Sequence, residues 1–208
     1  MCTFVLMASN IYKSYYRKKV LNGIELELEP GGIYGIVGEN GCGKSTLMNI
    51  LTGFIKADKG KVNIAGNYGY CPQNTLVFKN LTVWENMRYF GIAYGMKNED
   101  ITRSAQKLAA RFNFENYMNI RASNLSSGTL QKLNLVIALL HAPDILFLDE
   151  PYAALDWETY LIFWKFAGEL KKAGKTIIIV SHLLYDRDKT DVIQEIINGK
   201  LKEVNQEY

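Results

Sequence analysis

An α/β fold carrying a helical insertion is what these 208 residues predict. Strand-like and helix-like segments alternate at both ends of the chain, the pattern of a parallel sheet with crossover helices. A block from about residue 74 to residue 124 carries helical periodicity instead. Between a strand-like IYGIV and an apolar-faced helix lies a glycine-rich loop, GENGCGKS. Hydrophobic residues make up 48% of the chain, enough to bury a core.

The elements follow in order. Residues 4–9 (FVLMAS) and 24–29 (IELELE) read as short strands. Pro30-Gly31-Gly32 is a turn into IYGIV at 33–37. Residues 61–66 (KVNIAG) and 67–71 (NYGYC) are further strands. Residues 83–95 and 101–114 are the helices of the insertion. LNLVIALL at 133–140 reads as a buried helix, DILFLDE at 144–150 as a buried strand, and 154–174 as a long helix. TIIIV at 176–180 is another buried strand. Residues 192–204 form a hairpin around Asn198-Gly199, a dipeptide that accepts positive φ at both turn positions.

The chemistry is concentrated in the loop. Gly38-Glu39-Asn40-Gly41-Cys42-Gly43-Lys44-Ser45 matches G-x-x-x-x-G-K-[ST], after a strand and before a helix. Glycines let backbone N–H groups close around a phosphate with no Cβ in the way. The helix end adds its positive dipole. Lys44 reaches the β- and γ-phosphates, Ser45 binds Mg²⁺, and Thr46 contacts the α-phosphate. A second signal is the apolar strand that ends in Asp149-Glu150. Such a strand delivers its last side chains to the carboxyl edge of the sheet. Asp149 suits Mg²⁺, and Glu150 is placed to polarise an attacking water.

Bulk properties narrow the class. The net charge of +3 is too mild and too evenly spread to argue for nucleic acid. Cys2, Cys42 and Cys71 form no CxxC pair and fit a reducing compartment. The N-terminus has no basic start before its apolar residues, so it does not read as a signal peptide. LVIALL and TIIIV fall far short of the ~18 apolar residues that span a bilayer. A soluble, cytoplasmic chain is expected.

Four further stretches carry a resemblance. Tyr70-Cys71-Pro72-Gln73 precedes the helical block, and Ser126-Ser127-Gly128-Thr129 follows it. Ala154-Leu155-Asp156 comes after Glu150, and Ser181-His182 after TIIIV. In order and spacing, over essentially the whole chain, this resembles the nucleotide-binding domain of ABC transporters. The resemblance implies a RecA-like phosphate-loop NTPase core with an antiparallel β subdomain (1–73 and 125–208) and an inserted α-helical subdomain (74–124). It implies an ATPase that uses ATP and Mg²⁺. Gln73 would touch Mg²⁺ or the lytic water, and His182 the γ-phosphate. Asp156 would lie across a dimer interface. Tyr15 falls where the family stacks an aromatic on adenine, with Tyr16 as its competitor.

In this family two domains pair head to tail, and each ATP is held between one chain's phosphate loop and the other's LSGGQ-type signature. On local pattern alone, LSSGT is a helix start capped by Ser126. By resemblance it is the signature, aimed at a partner's ATP. Ser126 and Gly128 keep the expected contacts, while Ser127 replaces a glycine and Thr129 a glutamine. The resemblance also implies separate transmembrane permease subunits and a place on the cytoplasmic face of the membrane. Val77, Phe78, Trp84 and Phe90 are candidates for the permease-facing surface, or else for core. LTVWEN (81–86) resembles the corresponding stretch in export-type domains. The pairing is a homodimer or a heterodimer. The competing readings are an ABC-type ATPase acting on nucleic acid or ribosomes, and a non-transport ATP-binding regulatory subunit.

Overall fold

A computed structural model describes residues 4–152, 155–181 and 187–204. In chain order the elements are β1 (Leu6–Tyr15), β2 (Lys18–Leu28), β3 (Ile33–Val37), α1 (Lys44–Leu51), β4 (Lys59–Ile64), β5 (Tyr68–Cys71), α2 (Val83–Ala93), α3 (Asn98–Arg111), α4 (Ser127–Leu139), β6 (Ile145–Asp149), α5 (Trp157–Lys172), β7 (Thr176–Val180), β8 (Val192–Ile197) and β9 (Lys200–Glu203). Short 3₁₀ turns occur at Glu115–Tyr117, Ala122–Asn124 and Arg187–Lys189.

Two sheets organise the chain. The larger has six strands in the order β5-β6-β7-β3-β8-β9, parallel except for the last pair. The smaller is antiparallel, in the order β2-β1-β4. All residues of β6 (ILFLD) and β7 (TIIIV) are buried, as strands covered on both faces must be. Their side chains alternate between two apolar layers. Leu146, Leu148, Ile177 and Ile179 join the layer of α4 and α5. Ile145, Phe147, Ile178 and Val180 join α1 and the antiparallel sheet, through Leu47, Ile11 and Ile24. Met87, Leu108 and Phe112 from the inserted helices belong to the first layer, so the insertion shares its core with Leu133 and Phe163.

The structure departs from the sequence reading in places. β1 and β2 are 10 and 11 residues long, and residues 4–9 and 24–29 mark only parts of them. They are joined through Tyr16, a tyrosine at φ 54. No glycine or asparagine announces that turn. Residues 74–78 of the expected helical block form an irregular loop. Helix begins at Val83, where Thr82 and Glu85 make a reciprocal capping box. Buried Asn86 then ties the preceding loop. Its Nδ2 donates to the carbonyls of Phe78 (3.1 Å) and Thr82 (2.9 Å), and its Oδ1 accepts from the Phe78 N–H (2.8 Å). LTVWEN is therefore a helix-start and loop-holding device. The final hairpin is as expected, with Asn198 at φ 52 and Gly199 at φ 74.

Of the candidate permease-facing residues, Phe78 is exposed, whereas Val77, Trp84 and Phe90 pack partly buried against the core. Among the described residues no helix is long and apolar enough to cross a membrane.

Candidate active site

The carboxyl edge of the parallel sheet holds a cleft of about 310 Å³. β3 feeds the glycine loop, which turns into α1. Gly43 is the N-cap of α1 at φ 115, and a Cβ there would lie 2.9 Å from Val20 Cγ1. A larger residue at 43 would be strained and would push the loop off β2. No side chain caps α1, and its first internal bond runs from the Leu47 N–H to the Gly43 carbonyl at 2.8 Å. The N–H groups of Lys44, Ser45 and Thr46 thus face out of the helix end, where an anion can take them. Asn40, Gly41, Gly43, Lys44, Ser45 and Thr46 all line the cleft.

Lys44 is buried to 8% exposure, and its Nζ donates to the carbonyls of Gly38 (2.6 Å) and Glu39 (3.0 Å). An ammonium has three N–H donors, so one remains for a phosphate oxygen. Asp149 and Glu150 stand opposite, in the same cleft. Burial pushes the Asp149 carboxyl above its ordinary range. The Ser45 hydroxyl counters this by hydrogen bonding, Glu150 raises it further, and the charge of Lys44 lowers it. A buried carboxylate between a hydroxyl and an ammonium is primed to gain from a cation.

Glu150 adopts φ 49, a conformation uncommon for a residue with a bulky side chain. Its N–H donates to the Val180 carbonyl at 2.8 Å, and its Oε2 accepts from the Ser181 hydroxyl at 3.1 Å. β7 lies between β6 and β3, so its end brings Ser181 beside both motifs. Strained backbone held by surrounding bonds is the pattern of a functional position. Sequence reasoning gave Ser181 no role of its own.

Tyr15, at the end of β1, lines the cleft, whereas Tyr16 is fully exposed in the turn and does not. Gln73 lines it too, from the loop after β5. Gly38 and Cys42 are placed differently. Gly38 contributes its carbonyl to Lys44. The Cys42 N–H donates to the Glu39 carbonyl at 3.2 Å, and the residue lines a neighbouring cleft with Lys18, Lys19 and Glu195. His182 lies outside the described residues.

Ser126, Ser127, Gly128 and Thr129 do not line this cleft; they form the start of α4 elsewhere on the molecule. The Ser126 hydroxyl caps the helix by accepting from the Thr129 N–H (3.2 Å), and it shares a 2.8 Å hydrogen bond with the Thr129 hydroxyl. Asp156 caps α5, accepting from the Thr159 N–H at 2.7 Å and the Thr159 hydroxyl at 3.0 Å. That bonding holds its carboxyl below the usual range, yet the side chain stays 63% exposed.

The donor set suits Mg²⁺. Ser45, Asp149 and Gln73 all offer oxygen, the ligand type of a hard cation. Among the described residues no group of three or more His, Cys, Asp or Glu could hold a metal ion. A cation that completes its shell with water and substrate phosphates needs no such cage.

The sequence profile of the ABC transporter family matches residues 21–153. An uncharacterized ABC transporter ATP-binding protein of Methanocaldococcus jannaschii is 35% identical, covering 86% of this chain and 68% of that protein. A Nod factor export ATP-binding protein of Cupriavidus metallidurans is 28% identical, covering 97% of this chain and 73% of that protein. The solved structure of an ATP-binding subunit of an ABC transporter superposes with a TM-score of 0.90 at 25% identity, covering 95% of this chain and 88% of that one. The chain therefore belongs to the ABC transporter family, whose ATP-binding domains hydrolyse ATP.

Proposed function

We propose that this chain is the ATP-hydrolysing subunit of a membrane exporter, acting with separate membrane-spanning subunits and as a head-to-tail pair of cassettes. One observation carries the reading: Lys44, Ser45, Asp149 and Glu150 converge on one cleft at the carboxyl edge of the sheet. The open N–H groups of α1 and the Lys44 ammonium bind the phosphates, and Tyr15 stacks on the adenine. Ser45 and Asp149, with Gln73 alongside, would hold Mg²⁺, which would supply neutralisation of phosphate charge. Glu150, fixed by Ser181, accepts the proton of the attacking water. Phosphoryl transfer needs positioning and charge stabilisation, with no covalent enzyme intermediate. His182 is assigned to the γ-phosphate.

Ser126 to Thr129 do not line their own cleft, which supports their assignment to a partner's nucleotide. Asp156, exposed beside them through its 4.0 Å pairing with Lys132, is assigned to the same interface. ATP between two cassettes clamps them, and hydrolysis releases the clamp, a two-state switch driven by different contacts before and after cleavage. Residues 74–124 are assigned as the helical subdomain.

An apolar groove of about 390 Å³ lies beside the Gln73 loop, lined by Phe54, Tyr70, Leu76, Phe90 and Tyr94. We assign it to a cytoplasmic segment of the membrane subunit, which places the chain peripherally on the cytoplasmic face. Export is supported by the Nod factor export relative. LTVWEN supports it less, because helix capping accounts for that pattern. The test is reconstitution with the membrane subunit. Cargo moving out of the cytoplasmic compartment with ATP is expected; uptake, or transport indifferent to ATP, would refute the assignment.

A further inference from the structure

Asn134 sits on α4 seven residues past Ser127, about two helical turns. It is buried to 3% exposure among apolar neighbours. Its Nδ2 donates to the Pro72 carbonyl at 2.9 Å and approaches Cys71 Sγ at 3.3 Å. Gln131, one turn earlier on the same face, is also buried, and its Nε2 lies 3.9 Å from the same sulfur. These two amides thus grip the end of β5 where the chain leaves the sheet. The next residue is Gln73, whose side chain lines the cleft.

A buried amide costs free energy unless it is bonded, a cost that an apolar side chain at this position would not carry. Its service is therefore the bond to Pro72. Proline has no N–H, so the Pro72 residue cannot be held by a ladder bond from its own nitrogen. The Asn134 amide supplies a fixed point at its carbonyl instead. The buried Cys71 sulfur is a weak acceptor for the same two amides.

We propose that Asn134 is a positioning residue for Gln73, coupling the helix that begins with Ser127-Gly128-Thr129 to the glutamine in the chain's own nucleotide cleft. A displacement of α4 on meeting the partner's ATP is then passed to Gln73 through one hydrogen bond at Pro72. The proposal rests on the reading of the cleft as an ATPase site that uses Gln73.

A double-mutant cycle on the full chain tests it, with Mg-ATP as substrate and kcat and KM read separately. Asn134→Leu should lower kcat about tenfold while KM for ATP stays within about twofold, the signature of a lost transition-state contact. In a Gln73→Ala background the same substitution should cost almost nothing, because the residue it positions is gone. A mere packing defect would lower both backgrounds alike. Equal losses in the two backgrounds, or an unchanged kcat in the single variant, would overturn the proposal. Asn134→Ala, which makes no demand on space, serves if the leucine variant does not fold, and is read the same way. Full turnover in Gln73→Ala alone would sink the site reading, and the proposal with it.

Discussion

The Ser181 hydroxyl donates a hydrogen bond to Glu150 Oε2 across 3.1 Å, joining the ends of β7 and β6. The contact holds a carboxylate whose backbone already sits at φ 49. A hydrogen bond to a charged group is worth about 1.5–3 kcal/mol. Ser181→Ala should therefore lower kcat about tenfold and leave ATP affinity nearly unchanged. Unaltered turnover in that variant would show that Glu150 needs no such support.

Lys44 spends two donors on the loop and keeps one for phosphate. Lys44→Ala should remove most ATP binding, measured by equilibrium titration with a fluorescent ATP analogue. Gly43→Ala should act similarly without touching any charge, since its Cβ would meet Val20 and its φ of 115 is strained for alanine. Normal affinity in both variants would contradict the phosphate-loop assignment.

Thr129 shares its hydroxyl with Ser126, so the proposed signature segment is braced from within. Ser126→Ala removes the α4 cap and should destabilise the chain by about 1 kcal/mol in denaturant unfolding. The paired change Ser127→Gly with Thr129→Gln should raise turnover, by freeing the approach and releasing Ser126. No change in turnover would mean that these side chains do not limit the in-trans contact.

His141 stacks on Tyr94 with ring centroids 4.0 Å apart, and its Nε2 meets the Tyr68 carbonyl at 3.0 Å. A carbonyl only accepts, so Nε2 carries the proton. Nδ1 is buried with no hydrogen-bond partner among the described residues. Burial pushes this imidazole below its ordinary value, against the opposing pull of the Tyr68 bond and the Asp144 charge. The folded chain thus binds this proton more weakly than the unfolded chain does. Stability should fall as pH drops below the unfolded value of about 6.5, until the folded imidazole titrates as well. His141→Phe should lose less Tm than the parent between about pH 7.5 and about pH 5.5. An equal loss would place the pH sensitivity elsewhere.

The phosphate loop and Asp149-Glu150 were legible in the sequence because their chemistry demands fixed residue types at fixed spacing. The central strands were legible from their apolar runs, and the last hairpin from Asn198-Gly199. The β1–β2 turn was not, because Tyr16 takes a positive φ with no glycine or asparagine to announce it. That turn also decides which tyrosine reaches the cleft. Ser181 with Glu150 and Asn134 with Pro72 were invisible for another reason. They are 31 and 62 residues apart in sequence, and only the strand order brings them together. For the candidate permease-facing residues the sequence left surface and core both open, because an apolar residue on a helix, or in the loop before it, can pack in or point out. Only the structure separates Phe78 from Trp84 and Phe90.

The central claim is that Glu150 activates water on an ATP held between two copies of this cassette, or between this cassette and a relative. Glu150→Gln keeps the shape and removes the base. With Mg-ATP it should bind nucleotide normally and lose turnover by about 10²–10⁴-fold. It should also accumulate as an ATP-bound dimer in sedimentation experiments, because the clamp closes and is not released. Near-normal turnover, or a variant that stays monomeric at saturating ATP with every plausible partner cassette present, would contradict the account.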